Sequence, residues 1–159
     1  MMPSSMREQR DYGKHDLYIE DDIVISVPHG ELTLAELHKY TDILAEVIAR
    51  HGHCLMLADN KEVSGIEASA RRYSAQWSVG KPVVGIALYN AGLAARTVFT
   101  LVLKAMNMIG KQPIPFAFFK TEQEARDWLA RLREQHLAKV RRGEMSPAAG
   151  GANQSGPTP

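Results

Sequence analysis

His51-Gly52-His53 is the one close pair of histidines in the chain, and two imidazoles one residue apart could give a metal two nitrogen ligands. Sites of that kind need three or four ligands, and no motif places a third. The pair therefore reads as a polar turn. Cys54 follows inside an apolar run and reads as a small core hydrophobe rather than a nucleophile. No Gly-x-Ser-x-Gly elbow, Gly-x-Gly-x-x-Gly loop, P-loop or His-Glu-x-x-His pair occurs. The expectation is a protein without catalysis, cofactor or metal, and an enzyme built on His51, His53 and Asp59 is the weakest reading.

Binding chemistry gathers instead around Asn60, Lys61 and Ser64, with Tyr89 and Asn90 ending a second apolar run. Ser64-Gly65-Ile66-Glu67 fits a Ser-x-x-Glu capping box, in which serine and glutamate each satisfy an orphan backbone donor of a helix's first turn. A helix start beyond the carboxyl end of a parallel strand offers free N–H groups to an anion. Ser64 could accept a phosphate there, although the N-cap role already accounts for it. Arg71, Arg72 and Arg96 read as solvated side chains on outer helix faces.

The elements that must hold these groups follow from periodicity. Leu17–Ile19 and Ile23–Val27 are short β-prone runs around the acidic Glu20-Asp21-Asp22, which reads as a hairpin. Thr33-Leu34-Ala35-Glu36 is a capping box opening a helix whose apolar face runs through Leu37, Tyr40, Leu44, Val47 and Ile48. Cys54–Ala58 and Val83–Tyr89 show no apolar/polar alternation, as expected of strands covered by helices on both faces. A helix with Ile66, Ala70, Tyr73 and Trp77 at helical spacing lies between them. Thr121-Glu122-Gln123-Glu124 opens the closing helix after the strand-like Phe116–Phe119.

The helix predicted over Leu93–Ile109 has apolar residues around roughly 220° of its circumference, where one core-facing stripe needs only about 100°. One stripe holds Ala94, Val98, Leu101, Ala105 and Ile109, and the other Ala95, Phe99, Val102 and Met106. The second is expected to meet a partner copy, giving a homodimer. Met106 and Met108 with Phe99 could alternatively line a groove for a hydrophobic ligand.

A length of 159 residues fits one domain. The expected layout is 1–14 without regular structure, a domain over 15–138, and a basic then low-complexity tail over 139–159 without order. With 19 Lys and Arg against 18 Asp and Glu, total charge gives no reason to expect nucleic acid. A single cysteine and the absence of an apolar signal segment read as cytoplasmic, and Leu93–Ile109 is too short and too charged to span a bilayer.

Strands alternating with helices imply an α/β sandwich, with a mixed, mostly parallel sheet, an N-terminal hairpin and about four helices. That order over Leu17 to about Leu137 resembles the SpoIIAA-like group of STAS domains. Ala70–Trp77, Arg96–Leu103 and Phe118–Leu129 look like a bacterial branch of that group. The resemblance implies a small interaction or ligand-binding module without catalysis, on a fold also compared with lipid-transfer domains of the CRAL-TRIO type. Anti-sigma-factor antagonists of the group carry Asp-Ser-Ser-Gly before this helix and are phosphorylated on the first serine. Glu62-Val63-Ser64-Gly65 aligns there, placing Val63 at the acceptor position, with Ser69 available in another register.

Two functions follow as expectations. The first is a non-catalytic regulatory or protein-interaction module that uses Asn60, Lys61, Ser64, Tyr89 and Asn90, and dimerises through Ala95, Phe99, Val102 and Met106. The second is a carrier or sensor of a lipid or other hydrophobic small molecule.

Overall fold

The structure, a computed structural model, describes residues 7–110 and 112–144. Its elements in chain order are β1 (Arg7–Tyr12), β2 (His15–Glu20), β3 (Ile23–Val27), β4 (His29–Leu32), α1 (Leu34–His51), β5 (Cys54–Asp59), β6 (Glu62–Ile66), α2 (Ala68–Trp77), β7 (Val83–Tyr89), α3 (Leu93–Ile109), β8 (Phe116–Phe119) and α4 (Glu122–Arg141). Six strands form one sheet in the order β1-β2-β3-β5-β7-β8, and β4 pairs with β6 in a small sheet of two. In the large sheet β2 runs antiparallel to both of its neighbours, β1 and β3, and β3, β5, β7 and β8 run parallel. The mixed, mostly parallel sheet, the hairpin and the four helices match the expectation.

Parallel neighbours need crossovers, and crossovers of this kind are right-handed. Because β3, β5, β7 and β8 advance in one direction across the sheet, that rule puts α1, α2 and α3 on the same face. Packing agrees. Leu37, Leu44, Ala70, Val102 and Leu103 from these helices meet Leu17, Val24, Ile86 and Leu88 from one side of the sheet. Ala125 and Leu129 of α4 cover Ile25, Leu55, Leu57 and Ala87 on the other. Gly85 lets α4 come close, since a Cβ there would lie 2.5 Å from Leu132 Cδ1.

Two capping boxes form as read. Thr33 accepts from the Glu36 N–H and Thr121 from the Glu124 N–H, with each glutamate returning to its cap residue's N–H. The third does not. Ser64 lies in β6, at the place where the β4–β6 register slips, and α2 starts at Ala68 with Glu67 as N-cap and no side-chain cap. Glu67 is committed elsewhere, its Oε1 accepting from the Leu34 N–H at 2.9 Å. It thus satisfies an orphan donor of α1 across the small sheet, and the pull of β4 on β6 outweighs a local helix start.

The stretch 1–14 differs from expectation where it is described. β1 pairs with β2 along its length, and Arg10 holds Glu46 of α1 with two bonds of 2.7 and 2.6 Å. Likewise, α4 continues through Lys139 to Arg141. Residues 1–6 and the tail 145–159 lie outside the described residues.

The expected dimer stripe is also corrected. Val102 (7% exposed) and Met106 (9%) are buried in this chain's own core with Phe99 packed against it, so they are not available to a partner. Leu101 (65%) and Met108 (86%) face outward instead. The two stripes were equally apolar, and the contact of α3 with α2 decides which turns inward.

Glu67→Ala should lower stability by about 1 kcal/mol, the usual cost of losing a cap, while Ser64→Ala should change it by less than about 0.5 kcal/mol. Urea denaturation checks this, and the reverse order would restore Ser64 as the cap.

Candidate functional site

The chain ends of β5 and β7 bring Asp59, Asn60, Lys61, Tyr89 and Asn90 together. The Asn60 N–H donates to the Tyr89 carbonyl at 2.9 Å. Asp59 Oδ1 accepts from the Lys61 N–H and from Asn90 Nδ2, both at 3.2 Å. Asn90 holds a left-handed φ of 61°, which asparagine tolerates better than most residues. Lys61 and Asn90 are exposed. Tyr89 turns the other way, under α4, with its hydroxyl 3.4 Å from Glu122. Ser64 sits apart from this loop, on the exposed side of β6.

Asn60 differs from its neighbours. It is 1% exposed, and its Oδ1 is buried without a hydrogen-bond partner among the described residues. Its Nδ2 has only the Ala58 carbonyl, at 3.5 Å. An unpaired buried amide end costs about 1–3 kcal/mol, so this position calls for a reason. Asn60 borders a cavity of about 110 Å³ between the sheet and the three-helix layer. Met56, Leu88, Phe99, Val102 and Met106 give it apolar walls, while Ser26, Tyr40 and Thr41 add hydroxyls. No lining side chain is charged at neutral pH, and burial holds the Tyr40 phenol well above its ordinary pKa of 10.0. A space of this size and polarity suits a small neutral molecule with one polar function.

A second polar cluster lies beneath α4. Asp22, at the β2–β3 turn, accepts from His53 Nε2 at 2.8 Å, and from Arg133 Nε at 2.9 Å and Nη2 at 2.6 Å. Burial raises the Asp22 pKa, but these bonds outweigh it and hold the carboxyl well below its ordinary 3.8. The His136 ring lies 4.9 Å from that of His53, tilted by 53°. Burial first, then His53 and Lys139 nearby, push the His136 pKa down. His51 is exposed, so the expected histidine turn splits between solvent and a buried hydrogen bond to Asp22. Among the described residues no group of three His, Cys, Asp or Glu side chains could hold a metal. Burial pushes the Cys54 thiol up to about 12, which keeps it protonated and unreactive. The Met106/Met108 pair is also divided, one lining the cavity and the other exposed.

The SpoIIAA-like family profile matches residues 23–130. This chain belongs to the SpoIIAA-like family. Among solved structures it is similar to an uncharacterised DUF3478-family protein with a SpoIIAA-like fold from Shewanella loihica PV-4. Identity is 20%, with 81% of this chain and 99% of that chain covered at a TM-score of 0.53. It is also similar to the anti-sigma factor antagonist SpoIIAA in its unphosphorylated form, at 16% identity, 78% and 97% coverage and a TM-score of 0.40. No curated protein matches. In this SpoIIAA-like chain the residues before α2 form strand β6 rather than a cap, and Val63 carries no hydroxyl.

Sequence reasoning missed the cavity wall from β3 and α1. Its only trace was Ser26 and Thr41 at otherwise apolar positions.

The Asp22 cluster makes a pH prediction. A carboxyl whose folded pKa is depressed adds stability above its ordinary pKa, and that stability is lost as pH falls through the folded value. Stability should therefore drop below about pH 4 in the native chain. In Asp22→Asn, about 3 kcal/mol should already be gone at pH 7, with a flatter acid limb. Denaturant midpoints at pH 7 and pH 3 check both parts.

Proposed function

We propose that this chain is a non-catalytic regulatory or interaction module of the SpoIIAA-like type, and that it responds to a small neutral apolar molecule bound beneath the Asn60 loop. The observation that carries this reading is the unpaired Asn60 amide end at the edge of an apolar cavity. Apolar cavities of about 150 Å³ bind benzene, so about 110 Å³ is on the scale of a single ring. A long-chain lipid needs more room and would require α2 and α3 to part from the sheet. The ligand's polar group would complete the Asn60 hydrogen bond, at a contribution of about 1 kcal/mol.

The read-out surface in this proposal is the loop directly above, Asp59–Lys61 with Asn90. Asn60 belongs to both, its backbone tied to Tyr89 and its side chain at the cavity. A ligand that orders Asn60 stabilises one arrangement of the exposed Lys61 and Asn90, and a protein partner recognising that arrangement would sense occupancy. Support for a role without catalysis comes from the protonated Cys54 thiol and from Asp22, whose carboxylate is taken up by Arg133 as well as His53.

Thermal-shift measurements with phenol, toluene and benzoate test the reading. Phenol and toluene should raise the melting temperature, benzoate should not, and phenol should bind roughly fivefold tighter than toluene. In Asn60→Leu the unliganded protein should be as stable as the native chain or more so, and the preference for phenol should vanish. No shift with either neutral ring would contradict a ligand site here.

A further inference from the structure

One edge of the six-stranded sheet is β1, and the turn beside it decides which of its backbone groups are free. Only Gly13 and Lys14 separate Tyr12 from His15, with Gly13 at a left-handed φ of 63°. In a hairpin with a loop of two residues, the flanking pair closes the turn through its own backbone hydrogen bonds. Backbone direction alternates along an antiparallel ladder, so Arg10 and Glu8, like Tyr12, turn their N–H and C=O groups toward β2. Arg7, Gln9 and Asp11 turn theirs outward, where among the described residues they meet no partner. Arg7, Glu8, Gln9 and Asp11 are exposed, and Arg10 is half-buried. Charged side chains on a sheet edge ordinarily keep copies apart, but their order on β1 does the reverse. Arg7-Glu8-Gln9-Arg10-Asp11 reads plus, minus, neutral, plus, minus. Turned end for end about Gln9, this run sets Arg7 against the partner's Asp11 and Glu8 against the partner's Arg10. Laid side by side in the parallel sense, it sets every charge against its own kind. The centre that the charges select is also the one the backbone requires, because Gln9 is the middle of the three outward-facing residues.

We propose that β1 is the interface of a homodimer, in which two copies pair antiparallel about Gln9 and join their large sheets edge to edge. By symmetry each Gln9 N–H donates to the partner's Gln9 carbonyl, and the Arg7–Asp11 pairs on either side exchange backbone hydrogen bonds in the same way. Glu8 and Arg10 form the intervening pairs, whose side chains come closest. Asp11 keeps 76% of its side chain exposed beside Lys39 and Glu8 keeps 49% beside Arg10, so both carboxylates have room for a second cation. The contact is isologous and closes on itself. Its axis stands perpendicular to the sheet, which puts both three-helix layers on one face of the joined sheet. The opposite edge offers no such fit. β8 has only uncharged side chains, and β1 against β8 would be a heterologous contact open to endless addition. The β1 edge is remote from the α3 stripes and does not require an occupied cavity, so this dimer stands or falls apart from the ligand reading above.

Analytical ultracentrifugation of the whole chain over a dilution series tests the proposal. Gln9→Pro removes an outward N–H and nothing from the β1–β2 ladder, since proline is tolerated in an edge strand where that group faces solvent. With both central hydrogen bonds of the dimer lost, association should weaken roughly thirtyfold. Arg7→Asp should weaken it roughly tenfold by setting carboxylates opposite each other at both ends, and adding Asp11→Arg should restore it. Leu101→Ser on the outer side of α3 should leave it unchanged. Circular dichroism shows that each variant is folded. The proposal would be overturned by a chain that stays monomeric up to its highest soluble concentration, by a dimer that Gln9→Pro leaves intact or Leu101→Ser dissociates, or by an Arg7→Asp loss that Asp11→Arg does not reverse.

Discussion

Covering a largely parallel sheet on both faces is the constraint from which the rest of this molecule follows. Strands β3, β5 and β7 have no solvent-facing side, so their near-continuous apolar sequences must be met from above and below. One-directional crossovers send three helices to one face, which leaves α4 alone to close the other. The α4 side is tight: Leu55, Leu57, Ala125 and Leu129 have no exposed surface at all, and Gly85 gives up its side chain to the fit. The three-helix side is looser. Space between α1, α2, α3 and the strands remains as a cavity, bordered by the Asn60 amide, whose oxygen lacks a partner among the described residues. A module with one rigid face and one loose face has a natural place for a ligand and a natural set of elements for a ligand to move.

Polar contacts then fix what apolar packing leaves open. The Asp22–His53–Arg133 cluster locks the β2–β3 turn to the start of β5 and to α4. Glu36 serves α1 twice, closing its capping box and holding His15 at 2.7 Å. Burial raises the Glu36 pKa, but His15, the Thr33 N–H and Lys14 together bring it down to about 2. The β1 strand is attached by such pairs as well, through Arg10 to Glu46 and Lys39 to Asp11. Many of the acidic side chains are used in this bracing, Asp11, Asp22, Glu36 and Glu46 among them, whereas the α2/α3 layer carries cations only.

What the sequence made legible was local. Thr33-Glu36 and Thr121-Glu124 cap their helices as read, because both partners of a capping box lie within one turn. The runs at Cys54 and Val83 are strands, because their lack of alternation reports burial on two faces directly. What escaped depended on distant residues. Arg7–Tyr12 has one large apolar side chain, so nothing in its periodicity announces a strand. It is one because β2 offers a backbone edge and α1 offers Glu46. Ser64 and Glu67 satisfied a capping pattern, yet β4 captured the first and Leu34 the second. For α3, two equally apolar stripes could not be told apart until its neighbour α2 was placed. The loop residues Asn60, Lys61 and Asn90 do converge, while the cavity behind Asn60 is the work of side chains from nine separate elements and had almost no local signature.

Methyl NMR of the folded chain under xenon pressure tests the central claim most directly, since apolar cavities take up xenon. The resonances of Leu44, Val102 and Leu103, which face the cavity, should shift with xenon, while those of Leu55, Leu57 and Leu129 beneath α4 should not. Unmoved methyls on the three-helix side would mean that no ligand-sized space exists there, and the account of a ligand-responsive module would be contradicted.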